Sequence, residues 1–183
     1  MELCYETKRL MLKTLKDEDA VLVRDYYLRN KDFLQEWDPV RPDEFYTVPF
    51  HKVLLTNEME KIKSGQSLRL WLFSKIETQK VIGMISFSNI VKGVFLSCHL
   101  GYSLDEDYIN RGYITEALKK GIGIIFDEYK LHRIEANIMP RNLRSRRVCE
   151  KLGFREEGLA KEYLKINGKW EDHIHMVLLN DNV

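Results

Sequence analysis

Apolar and polar positions change rhythm along the chain, and the rhythm predicts the elements. In "RLMLKTL", residues 9–15, Leu10, Leu12 and Thr14 share one parity, the period of two expected of a half-buried strand. Lys16-Asp17-Glu18-Asp19 then sets carboxylates ahead of Ala20, Leu22, Val23, Tyr26 and Tyr27, where the macrodipole of a helix start favours negative charge. Val53, Leu54, Met59 and Ile62 predict a second helix over 48–63 that ends before Gly65. Two strand-like runs follow, "SLRLWLFSK" and "KVIGMISFSNI", separated by a polar "IETQ" turn, and then a third, "GVFLSCHLGYSL", to make an antiparallel meander.

The second half returns to helical spacing. "ITEALKKGIGIIFDEY" carries Ala117, Leu118, Ile122, Ile125 and Phe126 on one face, despite Gly121 and Gly123, each of which lowers helix propensity by about 1 kcal/mol. A strand "HRIEANIM" closes at Pro140, and "NLRSRRVCEKLG" reads as a basic helix capped at Gly153. The last strands, "FREEGLAKEYLKI" and "WEDHIHMVLLN", flank Asn167-Gly168, a strong hairpin signal. This order predicts an α+β fold over residues 1–183, one domain built on a single, mostly antiparallel twisted sheet with one helical crossover.

Composition narrows the function. The chain of 183 residues has 29 Lys plus Arg against 28 Asp plus Glu, so its formal net charge of +1 gives no global attraction to nucleic acid or an anionic membrane. No run approaches a membrane span and the N-terminus lacks a signal peptide, which predicts a cytoplasmic protein. Cys4, Cys98 and Cys149 are odd in number and widely spaced, arguing against a disulfide framework or a metal site; they are expected to be reduced and buried. His51, His132 and His175 sit among unrelated elements without metal-ligand spacing, and His173 with His175 makes an H-x-H pair on one strand face that lacks a third ligand nearby, so no metal is expected.

Positive charge is instead local. In "LGYSLDEDYINRGYITEALKKG" a strand enters a short loop with Gly112 and then opens a helix near Thr115. The amides at such an opening have no intrahelical partner and point outward with about half a positive charge, so they suit a phosphate, and Arg111 adds a cation. The same pattern also serves as ordinary turn chemistry. "PRNLRSRR" supplies a second basic helix start, at 140–147, on the same side of the sheet, so a ligand with several phosphates would bridge the two.

Taken jointly, "TKRLMLKTLKDEDA", "NKDFLQEWDPV", "VIGMISF", "LGYSLDEDYINRGYITEAL", "HRIEANIMPRNLRSRRVCEKLGFREEG" and "INGKWEDHIHMVL" resemble the GNAT superfamily of acyl-CoA-dependent N-acetyltransferases, and within it the Rim-type ribosomal-protein N-acetyltransferases. The resemblance spans residues 7–178 in the family's order. It implies two splayed central strands and acetyl-CoA as co-substrate. The pyrophosphate would rest on the loop Ile109-Asn110-Arg111-Gly112-Tyr113-Ile114 and on Thr115, although of the short Q/R-x-x-G-x-G/A pattern only Gly112 matches. The pantetheine arm would pair with Tyr102, Ser103 and Leu104 on one side and the region of Asn137 and Ile138 on the other, with Asn142 hydrogen-bonding it. Among Arg144, Arg146 and Arg147 one is expected to meet the 3′-phosphate, with Arg147 included in the binding set. Residues from Phe33 to Phe50 would wall the acceptor cleft, where Glu36, Asp38, Asp43 and Glu44 suit a cationic amine and Trp37 belongs either to that wall or to the core.

The implied reaction is direct acetyl transfer to a primary amine. An N-terminal α-amine is about 10 to 15% neutral at pH 7 and a Lys amine well under 0.1%, so an α-amine needs little help from a base. Proximity supplies much of the rate, and a strand N–H near Leu104 would hold the carbonyl oxygen. For the proton acceptor the resemblance offers His99, where superfamily members often carry Glu, or Glu162, two residues before Leu164 on a strand where the Rim-type pattern has Glu; the alternative for His99 is a plain sheet-face residue. Asp172 and His173 read as structural or substrate-orienting. Many members protonate the departing thiolate with a Tyr at the position of Cys149; here Ser145, which matches the serine of the Rim-type pattern, takes that expectation, against the alternative of a helix serine bonding its own i−4 carbonyl.

The acceptor implied is the α-amine of a protein such as a ribosomal protein, with a polyamine, amino acid or antibiotic amine as the other enzymatic reading. A non-catalytic acyl-CoA-binding module is the reading from a different class. No contact with nucleic acid or membrane is expected, and a homodimer is common among similar proteins.

Overall fold

A computed structural model of the chain describes residues 3–183. Its centre is an eight-stranded sheet in the order β1-β2-β3-β4-β5-β6-β8-β7, from β1 (Cys4–Glu6), β2 (Leu10–Lys13), β3 (Leu68–Ser74), β4 (Val81–Val91), β5 (Ser97–Leu104), β6 (Arg133–Ile138), β7 (Arg155–Ile166) and β8 (Lys169–Leu179). Every neighbouring pair is antiparallel except β5 and β6, which are parallel. Parallel neighbours need a crossover, and α4 (Tyr113–Asp127) is the predicted one. The helices α1 (Ala20–Arg29), α2 (Lys31–Gln35) and α3 (Val48–Lys63) precede β3, and α5 (Leu143–Lys151) joins β6 to β7.

Strand alternation divides the core into two layers. Leu68, Leu70 and Leu72 pack with Ala117, Leu118 and Ile125 of α4 and Cys149 of α5 on one face of the sheet. Trp71 and Phe73, of the opposite parity, pack with Val23, Tyr26 and Tyr27 of α1, Leu34 of α2 and Leu55 of α3 on the other. Among the described residues no helix is long and apolar enough to cross a membrane.

The turn chemistry follows the predictions. Asn167 and Gly168 both have positive φ, 44° and 80°, as a two-residue hairpin turn requires. Asn142 is the N-cap of α5, its Oδ1 accepting from Ser145 N–H at 3.1 Å, so this helix begins one residue later than the periodicity predicts. Two elements were not foreseen and two expectations need correction. Strand β1 and the short helix α2 lie in stretches too short to show a period, and β5 starts at Ser97 because Leu96 takes a φ of 41° that breaks the ladder. Cys4, expected to be buried, is exposed: β1 is an edge strand and its outer face has nothing to pack on, whereas Cys98 and Cys149 are buried as expected.

Candidate active site

The parallel pairing of β5 with β6 lasts only through Ser97–Arg133, Cys98–Ile134 and His99–Glu135. Beyond it β5 stays on β4 through Leu104 and β6 stays on β8 through Ile138, so the two central strands part at the middle of the sheet. Asp105 N–H donates to Ile82 O at 2.8 Å, which fixes the parity of β5: residues 103 and 105 bond toward β4, and the amides and carbonyls of Tyr102 and Leu104 face the gap. Across that gap the Oδ1 of Asn137 is buried without a hydrogen-bond partner among the described residues. A buried acceptor in this condition costs about 1–3 kcal/mol, which a ligand N–H would offset.

At the end of the gap β5 runs through Asp105 into the loop before α4. Arg29 bonds the Asp105 carboxylate at 2.8 Å and Val81 O at 2.8 Å, tying the loop to α1. Burial pushes the Asp105 carboxyl up, but hydrogen bonds from Arg29 and Asp107 N–H outweigh it and hold the group below its usual range. Gly112, at φ 76°, is the N-cap of α4 and places no side chain over the amides of Tyr113, Ile114 and Thr115. Ile109 and Ile114, which depart from the short family pattern, pack against the core, so they anchor the loop while its amides stay outward.

The clamp on this loop was not legible as a motif. Arg9 donates to Arg111 O at 2.9 Å, pairs with Glu116 at 2.6 Å and lies 4.3 Å over the Tyr113 ring. Glu116 also accepts from Thr7 Oγ at 2.7 Å and Arg9 N–H at 2.8 Å. Burial pushes the Glu116 carboxyl up, yet these donors hold it below its ordinary value, so it stays ionised and its charge is taken up by Arg9.

Where the helix start of α5 meets the gap, Tyr102 OH lies 2.5 Å from Ser145 Oγ, 3.1 Å from Ser145 O and 3.5 Å from Cys149 Sγ. Burial raises the Cys149 thiol to about 11, so it is not a thiolate near neutrality. Arg144 stacks 5.6 Å over Phe33 and Arg146 pairs with Glu156 at 3.4 Å, whereas Arg147 is exposed and makes no ion pair among the described residues.

On the α1 face, at the point where the strands part, lies a polar cluster only partly foreseen. His99 Nδ1 is 3.0 Å from Asn89 Nδ2, and its Nε2 is 3.8 Å from Glu135 Oε1. With the Asn89 amide donating, the proton of a neutral His99 sits on Nε2, which leaves that ring no free acceptor nitrogen. His175 Nδ1 instead bonds Glu135 Oε1 at 2.8 Å, which fixes its tautomer and leaves Nε2 as acceptor. Burial pushes the Glu135 carboxyl up, but bonds from Arg133 and His175 hold it below its ordinary range. Sequence reasoning set His175 aside for want of a third metal ligand; its register opposite Asn137 is the signal that would have found it. Glu162 does not join this cluster. Extra residues bulge from β7 between Ala160 and Leu164, and Glu162 sits exposed there at φ 49°, its N–H bonded to Asp172. His173 is buried with Nδ1 2.9 Å from Glu171 O, a structural placement.

A wall closes this face. Arg141 lies 5.5 Å over the half-buried Trp37 and 3.3 Å from Glu171, and Asn167 N–H bonds Asp38 O at 2.9 Å, joining the segment after α2 to the β7–β8 hairpin. The cavity beside Asp38 is floored by Tyr27, Phe45 and Tyr46. Among the described residues no group of three or more His, Cys, Asp or Glu is arranged to hold a metal ion.

Comparison with known proteins adds three findings. A family model described as an acetyltransferase (GNAT) domain matches residues 9–155. The [Ribosomal protein uS5]-alanine N-acetyltransferase of Escherichia coli (strain K12) is 40% identical over 171 residues, 92% of this chain and 86% of that protein. Among solved structures, the ribosomal-protein-S5-alanine acetyltransferase from Vibrio fischeri superimposes with a TM-score of 0.94 at 38% identity over 98% of both chains, and Mycobacterium smegmatis RimJ in complex with CoA-disulfide with 0.88 at 26% identity over 95% of this chain and 83% of that one.

Proposed function

The chain belongs to the acetyltransferase (GNAT) domain family, and on that premise we propose that it carries an acetyl group from acetyl-CoA directly to the α-amine of a protein N-terminus, a ribosomal protein being the acceptor its relatives favour. The observation that carries the reading is the gap between β5 and β6: free main-chain groups of Tyr102 and Leu104 on one side, the orphaned Asn137 Oδ1 on the other, and the open helix start at Gly112 at its end. An extended arm of amides with a pyrophosphate at its far end suits all three.

In this reading the amides from Gly112 to Thr115 and the Arg111 cation hold the pyrophosphate. Tyr102 and Leu104 present the β5 main chain that pairs with the arm, whereas Ser103, expected to pair as well, bonds its main chain toward β4 and accepts from Tyr26 OH at 2.8 Å through its hydroxyl; Asn137 accepts from one of the arm's amides. Asn142 spends Oδ1 on its cap and keeps its amide NH₂ for the arm. Arg147, with no ion-pair partner among the described residues, meets the 3′-phosphate. Leu104 N–H faces the gap and polarises the thioester carbonyl. The amine enters from the α1 face and attacks the carbonyl carbon; its proton leaves through the cluster at the fork, to His175 Nε2 or by water past His99. Ser145 hydrogen-bonds the departing sulfur. The raised, buried Cys149 thiol is no competing nucleophile, which favours direct transfer over an acetyl-enzyme. A ribosomal acceptor places the reaction in the cytoplasm.

The test is acetyl-CoA consumption against a panel of N-terminal peptides, polyamines and free amino acids. Turnover with peptides that stops when their α-amine is blocked supports the reading. Turnover confined to polyamines or amino acids overturns the acceptor, and tight CoA binding without turnover on any amine overturns the enzyme.

A further inference from the structure

Tyr102 alternates onto the helix-covered side of β5 with Cys98, Leu100 and Leu104, and its ring packs against that core while its main chain faces the gap. Its phenol is therefore placed by the strand under the first turn of α5. The single phenolic proton has Ser145 Oγ at 2.5 Å, the Ser145 carbonyl at 3.1 Å and Cys149 Sγ at 3.5 Å within reach. The shortest contact is to the hydroxyl. The carbonyl and the thiol are the poorer acceptors, the first by distance and the second because sulfur accepts weakly.

The backbone of Ser145 is pinned as well, since its N–H is held by the Asn142 cap. A serine hydroxyl otherwise rotates among three wells. A donor on one lone pair removes that freedom and turns the serine's own proton away from the phenol, out of the helix turn and toward the gap.

We propose that Tyr102 is a positioning residue for the transfer: its phenol donates to Ser145 Oγ and so presents the serine O–H to the sulfur of the departing CoA. This rests on the acetyl-transfer reading. In the step, the amine nitrogen bonds the acetyl carbon, the C–S bond breaks with its electron pair on sulfur, and the Ser145 O–H hydrogen-bonds that charge as it develops. The proton lost by the amine ends on the thiol through solvent, and Ser145 and Tyr102 emerge unchanged. Burial holds the Tyr102 phenol well above its usual range, so it stays a donor at any pH at which the protein works. The strand thereby supplies the phenol that α5 lacks at Cys149.

Tyr102→Phe deletes one oxygen and keeps the ring. It is expected to lower kcat about tenfold, with KM for acetyl-CoA within about twofold, the signature of an interaction made only in the transition state. Ser145→Ala is expected to do the same, and the double variant to be no slower than the slower single one, because both remove one coupled unit. The second readout is the thiol of bound CoA, titrated by thiolate absorbance against the complex with desulfo-CoA. Both variants should raise its pKa by about one unit, the equivalent of a tenfold weaker hold on the thiolate. A wild-type kcat and an unshifted thiol in Tyr102→Phe overturn the proposal, as does a double variant whose losses multiply. Should Tyr102→Phe fail to fold, an unshifted thiol in Ser145→Ala overturns it equally. A wild-type chain that binds no CoA overturns the acetyl-transfer reading itself, and is seen before any variant is made.

Discussion

Two glycines in α4, two residues apart, should respond differently to the same substitution. Gly→Ala in a helix interior gains about 1 kcal/mol of propensity at either position. A Cβ on Gly123 would find its nearest neighbour, Asp127 Oδ2, at 3.8 Å, ordinary contact distance. Gly123→Ala should therefore keep the gain. A Cβ on Gly121 would lie 2.5 Å from Ile85 Cδ1 and 2.9 Å from the Phe87 ring, and both of those residues are fully buried in β4. The ring cannot bend, and the methyl has no space to enter, so the helix or the strand must move. Overpacking of this kind costs about 1–3 kcal/mol.

Subtracting one variant from the other cancels the propensity and isolates the contact, leaving Gly121→Ala about 1–3 kcal/mol less stable than Gly123→Ala. For a chain of this size that is a gap of roughly 2–12 °C in Tm, read by calorimetry or circular dichroism. The same contact sets the distance of α4 from the sheet, and with it the amides at Gly112, so Gly121→Ala should also weaken CoA binding while Gly123→Ala leaves it unchanged. Equal Tm values for the two variants would refute the claim that Gly121 is there for close approach.

His51 is fully buried and stacks on Tyr27, with ring centroids 5.5 Å apart, and burial pushes its pKa from 6.5 down to about 4. An unfolded chain takes up that proton first as pH falls, so the contribution of neutral His51 is complete above pH 6.5 and drains away toward pH 4, about 3 kcal/mol in all. Urea unfolding across this window should show a slope in the wild type that becomes shallower in His51→Phe, most clearly above about pH 5 where carboxylates contribute little; the same slope in both would exclude His51 as a source. Arg111→Glu should weaken CoA binding roughly tenfold at about 50 mM salt and much less near 0.5 M. An affinity unchanged at low salt would remove Arg111 from the phosphate site.

Most of the fold could be read because its signals are local. The helix starts at Asn142 and near Gly112, the Asn167-Gly168 turn and the apolar periods are each properties of a few neighbouring residues, and the structure uses each as written. What was missed is short or depends on a partner. The three residues of β1 form a strand only because β2 offers an edge, and the bulge in β7 that leaves Glu162 exposed and apart from the cluster at the fork has no counterpart in the alternation of "AKEYLKI".

The site divides along the same line. Roles proposed for main chain depend on strand parity or on a helix start, whatever the side chain; the helix start at Gly112 was legible, whereas the parity that turns Ser103 toward β4 needed the register with β4. Side chains given a role in the proposal were singled out in the sequence only where a motif marked them, as at Asn142 and Ser145. Arg9 holds the loop before α4 from 102 residues away in sequence, Tyr102 reaches Ser145 across 43, and Glu135 reaches His175 across 40. None of these separations repeats a local period, so each is fixed by which strand neighbours which. Parity makes Tyr102 share a face with Leu100 and Leu104, and Cys149 leaves that face without the phenol the family pattern expects there, a juxtaposition the sequence reading did not draw. The missing fact was that α5 crosses above β5 at Ser145, and that follows from the parallel crossover rather than from either segment alone.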